Sequence, residues 1–175
     1  LDLALCLDSS GSVSYSEFQL QLEGTAQAIE NPDIVPRDGS MRLSLLQFSS
    51  SDYLEIDPTV IEEDNVASLA DAIRGVRKRG GGTSIHSCID GATEVIGNAN
   101  PPTALQVIDV STDGQSSQSA AVAASERARA AGIDVINSIG VGAGANETLL
   151  SSIVFPKPAG GERGFVLMVD SYEKY

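Results

Sequence analysis

Three short segments carry the side chains best suited to chemistry: Asp8-Ser9-Ser10-Gly11-Ser12, Gly80-Gly81-Gly82-Thr83-Ser84 and Ser111-Thr112-Asp113-Gly114. In the first, Asp8, Ser10 and Ser12 alternate, so three short oxygen-bearing side chains can turn to the same side of a tight loop while Gly11 supplies unusual backbone angles. Taken singly, each segment has a plain structural account. A Ser-rich turn caps a following helix, Thr83 is a candidate N-cap for the helix after the glycines, and Asp113-Gly114 is an ordinary turn pair. Pooled, they offer hydroxyls from Ser10, Ser12 and Thr83 with carboxylates from Asp8 and Asp113. Hard oxygen donors suit a hard divalent cation. Magnesium comes first, with manganese or calcium as alternatives, and the small octahedral ion keeps waters that the carboxylates can hold.

Rival chemistries lack their parts. A phosphate-binding P-loop has Gly-Lys-Ser/Thr, whereas Lys78 precedes the glycines here. A phosphatase of the haloacid-dehalogenase type needs an acid two residues after its nucleophilic aspartate, and the residue two after Asp8 is Ser10. A serine hydrolase needs a paired histidine and a Gly-x-Ser-x-Gly elbow. The elbow is absent, and the single histidine, His86, falls off the Ile85, Cys88, Ile89 stripe and reads as an exposed spectator. Catalysis is not expected, and a metal-dependent hydrolase ranks last among the readings.

Pooling the three segments requires a fold that brings them together. Short, near-continuous apolar runs at Leu3 to Leu7, Leu43 to Phe48, Leu105 to Val110, Ile133 to Ile139 and Phe165 to Val169 read as strands covered on both faces. Stretches of helical period lie between them: Phe18 to Ile29, Val66 to Ile73, Ile85 to Ile96, Ala120 to Ala131 and Leu149 to Val154. The alternation predicts the α/β class, a doubly wound, mostly parallel sheet with helices on both faces. The turn Ser49-Ser50-Ser51-Asp52 predicts one antiparallel edge strand over Tyr53 to Ile56. Such sheets bind ligands beyond the carboxyl ends of their strands, which is the edge all three segments leave. The stretch Pro156 to Gly164 reads as a surface loop. Cys6 and Cys88 both fall on apolar faces and are expected as two buried free thiols.

At 175 residues the chain fits one domain, 1–175, and its formal charge of -13 excludes a nucleic-acid partner. No apolar run reaches the roughly eighteen residues of a membrane span, so direct insertion into a membrane is not expected. Opening abruptly on a strand, the sequence is expected to be a piece of a longer protein. Asn146-Glu147-Thr148 fits a glycosylation sequon but equally a helix start.

The Asp-x-Ser-x-Ser, Gly-Gly-Thr-Ser and Ser-Thr-Asp-Gly segments resemble the metal-ion-dependent adhesion site of von Willebrand factor A domains, and the likeness runs from Leu1 to Val169. The resemblance implies a Rossmann-like fold with one divalent cation at its top. It further implies direct coordination by Ser10, Ser12 and, in at least one conformational state, Thr83, with Asp8 and Asp113 acting largely through bound water. The implied function is adhesion: capture of a protein or glycan partner that offers a carboxylate to the metal, at an extracellular location or the cell surface. The alternative within the family is a cytoplasmic docking subunit for an ATPase or chelatase-type assembly. The chain stops short of the full closing helix usual in the family.

Overall fold

The computed structural model describes residues 1–98, 105–156 and 164–174. Its strands are β1 (Asp2–Asp8), β2 (Asp38–Phe48), β3 (Asp52–Glu62), β4 (Gln106–Thr112), β5 (Val135–Val141) and β6 (Val166–Val169). Its helices are α1 (Tyr15–Glu30), α2 (Val66–Arg74), α3 (Ile85–Gly97), α4 (Gln118–Ala131) and α5 (Glu147–Ile153), with a final 3-10 turn at Tyr172–Lys174. The strands form one sheet in the order β3-β2-β1-β4-β5-β6. All pairings are parallel except β2 with β3. The doubly wound α/β sheet with one antiparallel edge is therefore the observed architecture.

The edge strand β3 runs on to Glu62, beyond the expected Tyr53 to Ile56. Pro58 interrupts the local pattern, yet an edge strand tolerates a residue that cannot donate to a ladder, and the β2–β3 register shifts at several points. Most of the stretch Pro156 to Gly164, expected as a surface loop, lies outside the described residues. No helix among the described residues is long and apolar enough to cross a membrane.

β1 is the hinge of the topology, because the strand order leaves it toward β2 on one side and β4 on the other. Its side chains alternate between two cores. Ala4 and Cys6 join the cluster beneath α3, α4 and α5, while Leu7, with the half-buried Leu3 and Leu5, joins the cluster beneath α1 and α2. On the second face α1 presents Phe18, Leu22, Ala26 and Ile29, four buried positions at helical spacing. Burying each of the three larger ones contributes about 2 kcal/mol. The helix is started by a capping box: the Ser14 hydroxyl accepts from the Glu17 amide at 3.2 Å, and the Glu17 carboxylate accepts from the Ser14 amide at 2.8 Å. On the other face α4 offers mainly alanines, Ala121, Ala124 and Ala128, with the buried Ser125 and the partly buried Val122, and it stops at Gly132, whose φ of 105° closes the helix in the left-handed conformation.

The expectation of two free thiols is overturned. Cys6 and Cys88 form a disulfide, with Cα atoms 6.0 Å apart, inside the reach of an unstrained bridge. The placement that suggested burial is also the physical reason for pairing. Cys6 points from β1 toward α3, Cys88 points from α3 toward the sheet, and both are fully buried, so the two sulfurs meet. The bridge spans 82 residues of sequence and fastens the central strand to a helix.

Alkylation under denaturing, non-reducing conditions should therefore leave the intact mass unchanged. The double substitution Cys6→Ala, Cys88→Ala should lower stability by about 4 kcal/mol in urea unfolding, the scale expected for releasing a loop of this length. An alkylated native chain would contradict the bridge.

Candidate metal site at the carboxyl edge

Strand order reverses between β1 and β4, and the last residues of these two strands, Asp8 and Thr112, end side by side there. Asp8, Ser9 and Ser10 are buried although all are polar, so every one of their groups needs a partner. The Ser10 amide donates to Asp8 Oδ1 at 2.7 Å, which folds the loop back over its own first residue. The second carboxylate oxygen, Oδ2, accepts from the Thr112 hydroxyl, and Thr112 Oγ1 in turn accepts from the Gly114 amide at 3.1 Å. Asp8 is thus held from both strands, and its orientation is set before anything binds.

The second loop is stitched to the first through the backbone. The Gly11 amide donates to the Gly81 carbonyl at 2.8 Å and the Gly80 amide to the Ser9 carbonyl at 2.9 Å. Lys78 adds a charged tie, its ammonium donating to the carbonyls of Ser9 at 3.0 Å and Ser10 at 2.7 Å. Glycine is required at 81: its φ is 112°, and a Cβ there would approach Ser50 Oγ to 2.8 Å. Thr83 does not cap the helix as expected. Helix α3 begins one residue later, with Ser84 at its N-cap position, and the Ser84 amide donates to the Ser49 carbonyl at 2.8 Å. Instead, Thr83 Oγ1 faces the third loop, 3.4 Å from where a Gly114 Cβ would stand, with Ser12 Oγ at 3.5 Å from the same point.

The side chains of the first and third loops meet directly. Ser12 Oγ donates to Asp113 Oδ1 at 2.7 Å, and Ser10 Oγ lies 3.0 Å from Ser12 Oγ. All five residues named from the sequence, Asp8, Ser10, Ser12, Thr83 and Asp113, therefore stand on loops that converge on one spot. Burial pushes the Asp8 carboxyl above the usual aspartate range, hydrogen bonds from Ser10 and Thr112 pull the other way, and the neighbouring Asp113 raises it further. Asp113 is pushed up by the same cause, opposed by its bond from Ser12, raised by Glu17 and lowered by Lys78. Two carboxyls, one buried and one half-buried, thus share a corner in which Lys78 supplies opposing charge.

The donor set fits a small octahedral cation. Ligands at cis positions around magnesium, at about 2.1 Å from the ion, stand about 3 Å from each other, and Ser10 Oγ and Ser12 Oγ are 3.0 Å apart. Hydroxyls are essential to this fit, because no three His, Cys, Asp or Glu side chains gather into a metal-holding group among the described residues. His86 is half-buried rather than exposed, with its ring nitrogens 3.2 and 3.3 Å from Ser84 Oγ.

Two supporting residues escape the reading of the sequence, and a third, Asn146, is legible there only as a helix start. Thr112 was visible only as part of a turn, and its role depends on a strand pairing that brings it to Asp8. Lys78 stands on the wrong side of the glycines for a P-loop; its contact with Ser10 spans 68 residues and leaves no local signal. Asn146 caps α5 by accepting from the Leu149 amide at 3.0 Å and also donates to Gln115 Oε1 at 2.8 Å. Gln115 donates onward to the Gly144 carbonyl at 2.8 Å, so the loop carrying Asp113 is braced by the loop after β5.

Solved structures share this fold at low sequence identity. Proximal thread matrix protein 1 from the mussel byssus aligns with a TM-score of 0.79 at 20% identity, over 99% of this chain and 44% of the other. A further structure of that protein is described as having a zinc-occupied MIDAS motif. The conserved hypothetical protein BatB from Bacteroides thetaiotaomicron gives a TM-score of 0.75 at 16% identity, covering 98% and 91% of the two chains. Manganese-loaded TRAP protein of Plasmodium vivax gives 0.71 at 20% identity, covering 99% and 70%. The chain thus spans less than half the length of the mussel protein. No curated protein matches it. The fold is that of the von Willebrand factor A domains, and by a family model that matches residues 1–175 the chain belongs to the family described as Protein of unknown function (DUF1194).

Proposed function

We propose that this domain is a binding module that holds one divalent cation, magnesium first, through Asp8, Ser10, Ser12, Thr83 and Asp113, and uses it to capture a partner that supplies a carboxylate. The observation that carries the reading is the junction of Ser10, Ser12 and Asp113 across two loops, with hydroxyl oxygens at the spacing of cis ligands. In this reading Ser10, Ser12 and Thr83 contribute neutral oxygens, while Asp8 and Asp113 hold bound water and steady the hydroxyls. When bound, the cation supplies positive charge that neutral hydroxyls leave largely uncancelled, and so attracts an anionic group. That two structural neighbours are described as having a zinc-occupied MIDAS motif and as manganese-loaded supports a metal in this fold.

We read the domain as an adhesion module rather than an enzyme. The Cys6–Cys88 bridge favours an extracellular or surface setting over the cytoplasmic docking role, because disulfides persist in oxidising compartments.

Two outcomes follow. Asp113→Ala should remove one anchor and leave the sheet folded, and calorimetric titration should then show magnesium affinity falling by at least roughly tenfold. Thr112→Val, which keeps shape but removes the hydroxyl that orients Asp8, should also weaken magnesium by about tenfold with circular dichroism unchanged, the scale of a hydrogen bond to a charged group. Equal affinity in folded wild type and both variants would sink the site.

A carboxylate partner gives a further test. Binding captured in magnesium should vanish in chelator and fall sharply when the partner's key acid becomes its amide, while added salt leaves it nearly unchanged. A specific partner retained in chelator would place recognition on another face.

A further inference from the structure

The surface around the metal site has an unusual make-up for a protein-docking face. The segments that frame it, residues 8–17, 49–52, 78–84 and 113–119, contain twelve serines among twenty-eight residues. They carry a formal charge of only -2, whereas the whole chain carries -13. Gly11, Ser12, Ser14, Ser16, Ser50 and Gln115 are exposed. Most of the acidic load therefore lies elsewhere, while the Lys78 ammonium is taken up by the Ser9 and Ser10 carbonyls and Arg79 is paired with Glu55.

Large apolar groups are almost absent here. Of the exposed large apolar side chains among the described residues, only Tyr15, 69% exposed, lies within three residues of a named site residue, Ser12. Leu54, 41% exposed, stands two residues beyond Asp52 on β3, while Leu20, Ile34 and Leu167 lie on helix, loop and strand positions outside these segments. A folded protein partner buries an apolar core at the centre of its interface. A field of hydroxyls with one projecting aromatic ring lacks such a core and suits a ligand that is itself hydroxylated. Serine hydroxyls both donate and accept, as sugar hydroxyls do, and an aromatic face packs against the C–H face of a pyranose ring.

We infer that the ligand of this site is an acidic glycan, a saccharide chain whose uronate or sialate carboxylate meets the metal while a neighbouring ring packs on Tyr15. The inference rests on the metal-binding reading above and names the class of its ligand. The experiment is calorimetric titration of the whole domain in magnesium with short oligogalacturonate, oligoguluronate and sialyl oligosaccharides, against an oligoglutamate peptide of matched charge. At least one acidic glycan should bind more tightly than the peptide, and its binding should be lost on chelation. Tyr15→Ala should weaken that glycan by roughly tenfold, Tyr15→Phe should keep it, and magnesium affinity should be the same in both variants. Intact magnesium binding with no glycan bound, with oligoglutamate bound as well as any glycan, or with glycan affinity indifferent to Tyr15→Ala would overturn the glycan assignment alone. Loss of magnesium binding in the wild type would instead overturn the reading beneath it.

Discussion

A carboxylate buried at the end of the central strand is the constraint around which the carboxyl edge is organised. Asp8 is fully buried, and an aspartate so placed is tolerated only when both oxygens are served. One oxygen is served from within the loop by the Ser10 amide, the other from β4 by the Thr112 hydroxyl. Meeting the first demand curls residues 8–12 so that Ser10 and Ser12 lie side by side, and meeting the second fixes the start of the loop that carries Asp113. The strand reversal between β1 and β4 gives these loops room to approach each other. The site's shape is therefore a by-product of satisfying one buried charge.

A second set of ties brings in the glycine loop, which has no strand of its own to anchor it. Backbone bonds at Gly11 and Gly80, together with the Lys78 ammonium, hold it against the first loop, and Ser84 holds it to the end of β2. Below these contacts the Cys6–Cys88 bridge joins the strand that leads into Asp8 to the helix that follows Thr83. Two of the three loops thus share a covalent foundation as well as a hydrogen-bonded seam.

The fold was legible because its strands are covered on both faces and its helices keep a clean apolar stripe, so both periods stand out in the sequence. The limits were set by tertiary context. Pro58 masked the second half of β3, since its tolerance depends on the strand lying at the edge. Apolar surroundings suggested free thiols at Cys6 and Cys88, because hydrophobic pattern reports depth and not which buried neighbours touch. At the site, the five donors could be named from residue type and spacing. Thr112 and Lys78 could not, because their roles arise from strand pairing and from a contact between distant parts of the chain.

The amides at the start of the first loop have a consequence for how the site comes apart. Ser9 donates to Phe48, Ser10 to Asp8 and Gly11 to Gly81, so three successive N–H groups are engaged, two of them by partners on other segments. Binding loops in many proteins belong to the least protected regions and exchange their hydrogens through local opening. This one is joined at its first residue to β1, which has a partner strand on each side. Freeing the Ser9 amide requires parting β1 from β2 at the centre of the sheet, whereas the Gly11 amide is freed by parting the two loops, so the start of the loop belongs to the same cooperative unit as the core and its far end opens more readily.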